Sequence, residues 1–137
     1  MLRLASHDTQ LWTHFDVMDN ALAQVTGRKR VVLWPPSSDE HLYVKDSSSS
    51  VPRGPSSDCM LMQPAPPAHD RYVEGSSSRV SDIDRWNDEE WPLYRRAVGA
   101  RRECVLDEGD VLFLPAWWWH HVVTTSPISF SIGCRYV

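Results

Sequence analysis

Hydrophobic and polar positions divide the chain into short β-type runs separated by one long polar stretch. QLWTHF (10–15), ALAQV (21–25) and KRVVLW (29–34) alternate, or form short apolar blocks, and predict three strands. Gly27 with Arg28 breaks the last two and predicts a hairpin turn, and Pro35 and Pro36 end the third. From 46 to 78 the chain turns to Ser and Pro, as SSSS, PSS, PAPPA and SSS. Too few periodic apolar residues remain there to offset the entropy of ordering, so a disordered insertion without a role of its own is expected. In SDIDRWNDEEWPLYRRA (81–97) acidic residues precede basic ones. That order suits a helix dipole and predicts a short helix that Pro92 interrupts or ends. RRECVL, the turn DEGD, VLFLP, WWWHHVVTT and SFSIGCRYV then predict consecutive antiparallel strands. The expected fold class is all-β, closed as a barrel or jelly roll, with one helical excursion.

Composition changes this picture little. A chain of 137 residues suffices for one domain with a modest core. Seven Trp are many for this length and point to a local aromatic cluster at Trp117, Trp118 and Trp119. Under the plainest reading these rings and Trp12 close a small β-barrel, with one or more free to wall a pocket. A net charge of −4 gives no general attraction to phosphate, so nucleic-acid contact requires a local basic patch. Three cysteines without CxxC spacing suggest neither a disulfide framework nor a cysteine zinc site, which fits a reducing cytoplasm or nucleus. No apolar run approaches the roughly 18 residues of a membrane span, and a soluble chain is expected.

The chemistry is concentrated in two places. His14 and Asp16 are one residue apart in a predicted strand, so both side chains share a face and can address one metal ion. A histidine from a distant strand would complete two imidazoles and one carboxylate on one side of an ion, leaving positions open for substrate. His120 and His121 are the candidates, and strand alternation allows only one of them to ligate.

GDVLFLPAWWWHHV (109–122) resembles the signature around the last metal ligand of JmjC-type oxygenases, and LWTHFDVMDNALAQVTGRKRVVLWPP (11–36) resembles their first block. LWTH, DVMDN and QVTG are characteristic of the small JmjC proteins of the tRNA wybutosine-synthesizing hydroxylase group. The resemblance implies a partial double-stranded β-helix of cupin type. Its parts would be a first metal-ligand strand and cosubstrate hairpin (10–36), the Ser/Pro insertion (46–78), and a short helix with C-terminal strands (79–137). It implies His14, Asp16 and His120 as ligands of Fe(II), with His121 outward or supporting. Lys29 would bind the distal carboxylate of the cosubstrate 2-oxoglutarate, Asn20 would bond it through its amide, and Leu11 would offer apolar contact. On residue chemistry alone Lys29 belongs to a solvated basic turn, and catalytic zinc would suit the same ligands.

The implied activity is hydroxylation of a C–H bond with O2, on the wybutosine side chain of phenylalanine tRNA. Arg28, Arg30, Arg95, Arg96, Arg101 and Arg102 are the candidate phosphate contacts. Alternatives are a JmjC hydroxylase acting on a protein side chain, and a truncated, non-catalytic cupin-like module. The family's barrel has strands before the HxD strand, a cosubstrate-binding Tyr upstream, and a closing strand reading like VNVFW that leads to dimerising helices. Only nine residues precede Gln10 here and the chain ends CRYV, so that Tyr and that strand have no counterpart. Weak Fe(II) binding, little turnover and no assured homodimer are therefore expected of residues 1–137.

Overall fold

The structure is a computed structural model that describes residues 1–43 and 77–136. Eight strands and one helix follow in order: β1 Leu2–Ser6, β2 Gln10–Phe15, β3 Asp19–Thr26, β4 Lys29–Trp34, α1 Tyr94–Ala100, β5 Arg102–Leu106, β6 Val111–Leu114, β7 Trp119–Thr124 and β8 Ile128–Tyr136. A 3-10 turn, Pro36–His41, follows β4. The strands form two four-stranded sheets, ordered β1-β8-β3-β6 and β2-β7-β4-β5, with every pairing antiparallel.

The all-β jelly roll with one short helix is as expected; its connectivity is not. β3 and β4, expected to pair as a hairpin across Gly27, lie in opposite sheets. Gly27 (φ +78°) turns the chain from one sheet to the other. Likewise β5, β6, β7 and β8 do not pair in succession but alternate between the sheets. A strand also forms at the start of the chain, where none was expected: β1 lies on the edge of its sheet, paired with β8.

The helix differs too. Asp82 Oδ1 accepts the backbone N–H groups of Asp84 and Arg85, and Asn87 Oδ1 accepts that of Glu89. These side-chain turns compete with helical bonding, so the helix begins only after Pro92 rather than ending there. The Ser/Pro stretch lies outside the described residues as far as residue 76. Its last two positions are ordered: Ser77 bridges His14, and the Ser78 N–H bonds the Thr13 carbonyl at 2.9 Å.

Two apolar clusters hold the fold. Between the sheets lie Leu22, Val31, Leu106, Leu114 and Val122. On the outer face of the β2-β7-β4-β5 sheet, Val32, Trp34 and Trp119 pack under Leu42, Val80, Ile83, Tyr94 and Ala97. β4 is therefore buried on both faces, which explains its unbroken apolar run. An ion-pair network clasps the cover to the sheet, because Arg30 and Arg101 each bond both Asp84 and Glu103. Among the described residues no helix is long and apolar enough to cross a membrane.

Candidate metal centre

β2 and β7 run antiparallel with His14 directly opposite His120. Leu11 faces Val122 and His14 faces His120, so three steps along β2 match two along β7. That bulge turns both Leu11 and His14, an odd number of residues apart, to the same side. Asp16 stands one residue beyond the end of β2. Its carbonyl accepts the Trp117 N–H at 2.8 Å, which ties the turn after β2 to the approach of β7.

One ligand-type atom each of His14, Asp16 and His120 lies within 4.8 Å of the others. His120 Nε2 is 4.0 Å from Asp16 Oδ2, and the two imidazole centroids are 4.2 Å apart. Ligand atoms about 2.1 Å from a common ion stand roughly 3 Å apart at right angles, so an ion would draw this set together by about one to two ångström.

Both imidazoles are set up to donate a lone pair inward. His14 Nδ1 is 2.7 Å from the Trp12 carbonyl, and His120 Nδ1 is 3.0 Å from that of Trp118. A carbonyl only accepts, so Nδ1 carries the proton and Nε2 is free in the neutral ring. Burial is the main reason that both rings hold their protons less tightly than usual, which keeps them neutral at physiological pH. Arg135 donates to Asp16 Oδ1 at 3.1 Å, leaving Oδ2 toward His120. His121 points the other way. It is buried against Thr13, its Nδ1 being 3.2 Å from Thr13 Oγ1, rather than facing solvent.

Asp16 and His120 line a cavity of about 290 Å³ between the sheets. Asn20, Lys29 and Leu11 line the same cavity, while His14 does not line it and joins the group through its proximity to Asp16 and His120. Lys29 is not in a solvated turn but 3% exposed, and no carboxylate among the described residues pairs with it. Burial, followed by the charge of Arg3, pulls its ammonium below the usual lysine range. Asn20 Oδ1 is buried and unpaired. A buried cation facing this cavity suits a small anion bound beside a metal, whereas the unpaired Asn20 Oδ1 calls for a hydrogen-bond donor, so only the amide N–H groups of Asn20 could serve an anion.

A cupin-like domain model matches residues 1–136. The chain belongs to the cupin-like, JmjC-type family. This cupin-like domain is 40% identical over 135 residues to tRNA wybutosine-synthesizing protein 5 of Danio rerio, covering 97% of this chain and 30% of that protein. It is 39% identical over 133 residues to the Homo sapiens protein of the same name, covering 97% and 31%. With JmjC domain-containing protein F of Dictyostelium discoideum it shares 33% identity over 103 residues, covering 75% and 19%. It thus spans about 30% of the length of its wybutosine-synthesizing relatives.

The cupin-like domain uses its aromatic residues and arginines unevenly. Trp119 is core, Trp12 is 62% exposed, and none of the four tryptophans considered lines the cavity. Arg30 and Arg101 are tied into the cover network and are not free phosphate contacts. Arg28 and Arg95 are exposed but paired with Asp107 and Asp88. Arg96 and Arg102 are exposed. Sequence reasoning missed Arg3 and Arg135, although the alternation of SFSIGCRYV puts Ser129, Ser131, Gly133 and Arg135 on one face.

Proposed function

We propose that this domain is the metal-binding part of an Fe(II)- and 2-oxoglutarate-dependent hydroxylase, and that the protein carrying it hydroxylates the wybutosine side chain of phenylalanine tRNA. The observation that carries this reading is the grouping of His14 with Asp16 and His120, the latter two lining a cavity that Lys29 and Asn20 also line. The tRNA substrate is supported by the names of relatives matched over 97% of the chain, and exposed Arg96 and Arg102 supply local positive charge.

Each side chain has a task in this scheme. His14 and His120 offer Nε2, and Asp16 offers Oδ2 while Arg135 holds its other oxygen. The three leave the remaining coordination positions open. Lys29 neutralises the distal carboxylate of 2-oxoglutarate, and Asn20 bonds the cosubstrate through its amide. Leu11, Leu22, Leu114 and Val122 wall the cavity and exclude water. The bound iron and cosubstrate supply the oxidation: one atom of O2 enters the substrate C–H bond, the other enters succinate, and CO2 leaves.

The test is aerobic turnover by the protein that carries this domain, rather than by residues 1–137 alone, with Fe(II) and 2-oxoglutarate on wybutosine-containing tRNA. Succinate formation coupled to a gain of one oxygen in the modified nucleoside, abolished by His14→Ala, is expected. Succinate coupled to a peptide but not to tRNA would make the protein a protein hydroxylase. Metal binding without turnover on either substrate would make it a binding module.

A further inference from the structure

Arg3 projects from β1 into the cavity that Lys29, Asp16 and His120 line. It sits opposite Ser131 of β8, on the inward face of its sheet. It is half-buried, and its side chain makes no hydrogen bond or ion pair with any described residue. The acid nearest the site, Asp16, is already engaged by Arg135. Arg3 and Lys29 are close enough to repel, and the Arg3 charge also bears on His14 and His120. Two unneutralised cations facing one half-open cavity repel each other, and an anion held between them relieves that repulsion. A guanidinium can grip a carboxylate through two parallel N–H bonds, whereas an ammonium acts as a point charge.

We propose that Arg3 is a second anchor for the distal carboxylate of a dicarboxylate ligand, closing on it from β1 while Lys29 holds it from β4. This inference rests on the hydroxylase reading above. It assigns to the edge strand a role in cosubstrate selection: the two cations together favour a diacid over a 2-oxo acid lacking the distal carboxylate.

Anaerobic calorimetry on the Mn(II)-loaded chain tests this without turnover, comparing 2-oxoglutarate with 2-oxobutanoate, which has the same 2-oxo acid head and no second carboxylate. Loss of one charge-assisted contact in Arg3→Met is expected to raise the 2-oxoglutarate Kd about tenfold. The 2-oxobutanoate Kd should stay unchanged, and Arg3→Lys should recover part of the loss. If Lys29→Met weakens 2-oxoglutarate while Arg3→Met does not, the Arg3 assignment falls and the hydroxylase reading stands. Equal weakening of both acids by Arg3→Met would reduce Arg3 to a structural residue. A wild-type chain that binds 2-oxoglutarate no better than 2-oxobutanoate would overturn the anchor and the cosubstrate assignment together.

Discussion

Arg135 donates to Asp16 Oδ1 at 3.1 Å, and this bond fixes which carboxylate oxygen is left to face His120. The arginine comes from β8 and the aspartate from the turn after β2, so the bond crosses from one sheet to the other. Groups that orient a ligand without touching the metal are typically worth tenfold to a hundredfold in metal affinity. Arg135→Met should weaken Mn(II) binding by about that factor, with Arg135→Lys intermediate, as read by competition with a metal indicator. Unchanged affinity would show that Asp16 needs no such support.

Lys29 illustrates a conflict between stability and ligand binding. Its ammonium is buried without a counter-ion among the described residues, which costs folding free energy in the empty protein. Lys29→Met keeps the volume and removes the charge. The variant should gain roughly 1 kcal/mol of stability in urea and lose 2-oxoglutarate binding. A less stable variant would mean that the ammonium has a partner holding it in place.

Gly27 is required by the crossing between sheets. A Cβ there would lie 2.2 Å from the Ile128 carbonyl oxygen and 2.5 Å from Ser126 Oγ, at φ +78°. Gly27→Ala should cost about 3 kcal/mol, combining left-handed strain with a backbone clash, measured as a drop in the urea midpoint. Gly109 has φ +91° but open space around its Cβ position, so Gly109→Ala should cost less.

Acid should loosen the cover over the β2-β7-β4-β5 sheet. Hydrogen bonds from Arg30 are the main cause that holds Asp84 down to about 2 and lowers Glu103 as well. The folded carboxyls bind protons less readily than the unfolded ones. Their contribution is therefore full above the ordinary carboxylate range and is lost as pH falls toward about 2. Both acids are more than a third exposed, so the effect is modest and shrinks in salt. Melting temperature followed from pH 5 to 2 should decline less steeply in Asp84→Asn than in the wild type; parallel curves would remove this network from the account.

β4 reads clearly in the sequence because both of its faces are covered, whereas β3 buries Asn20 and Gln24 beside Leu22 and exposes Val25, so its burial does not follow its polarity. β1 escaped because its pattern is inverted: Leu2 and Leu4 are exposed, while Arg3 and Ala5 face the cavity. Periodicity could not show which strands pair, since the alternation between sheets is set by crossings such as that at Gly27. The pairing of His14 with His120 was legible as motif and spacing. The bulge that adds Leu11 to the same side was not, because the register is fixed by β7, far along the chain. Lys29 read as solvated in a run of three bases; its burial follows from alternation, with Arg28 at the turn and Arg30 on the opposite face.

His14, Asp16 and His120 together are expected to hold one metal ion. Anaerobic Fe(II) titration of the chain, with His14→Ala, His120→Ala and His121→Asn alongside, tests it most directly. One ion per chain is predicted, lost in the first two variants and retained in His121→Asn. An ion that survives His120→Ala and disappears in His121→Asn would contradict it.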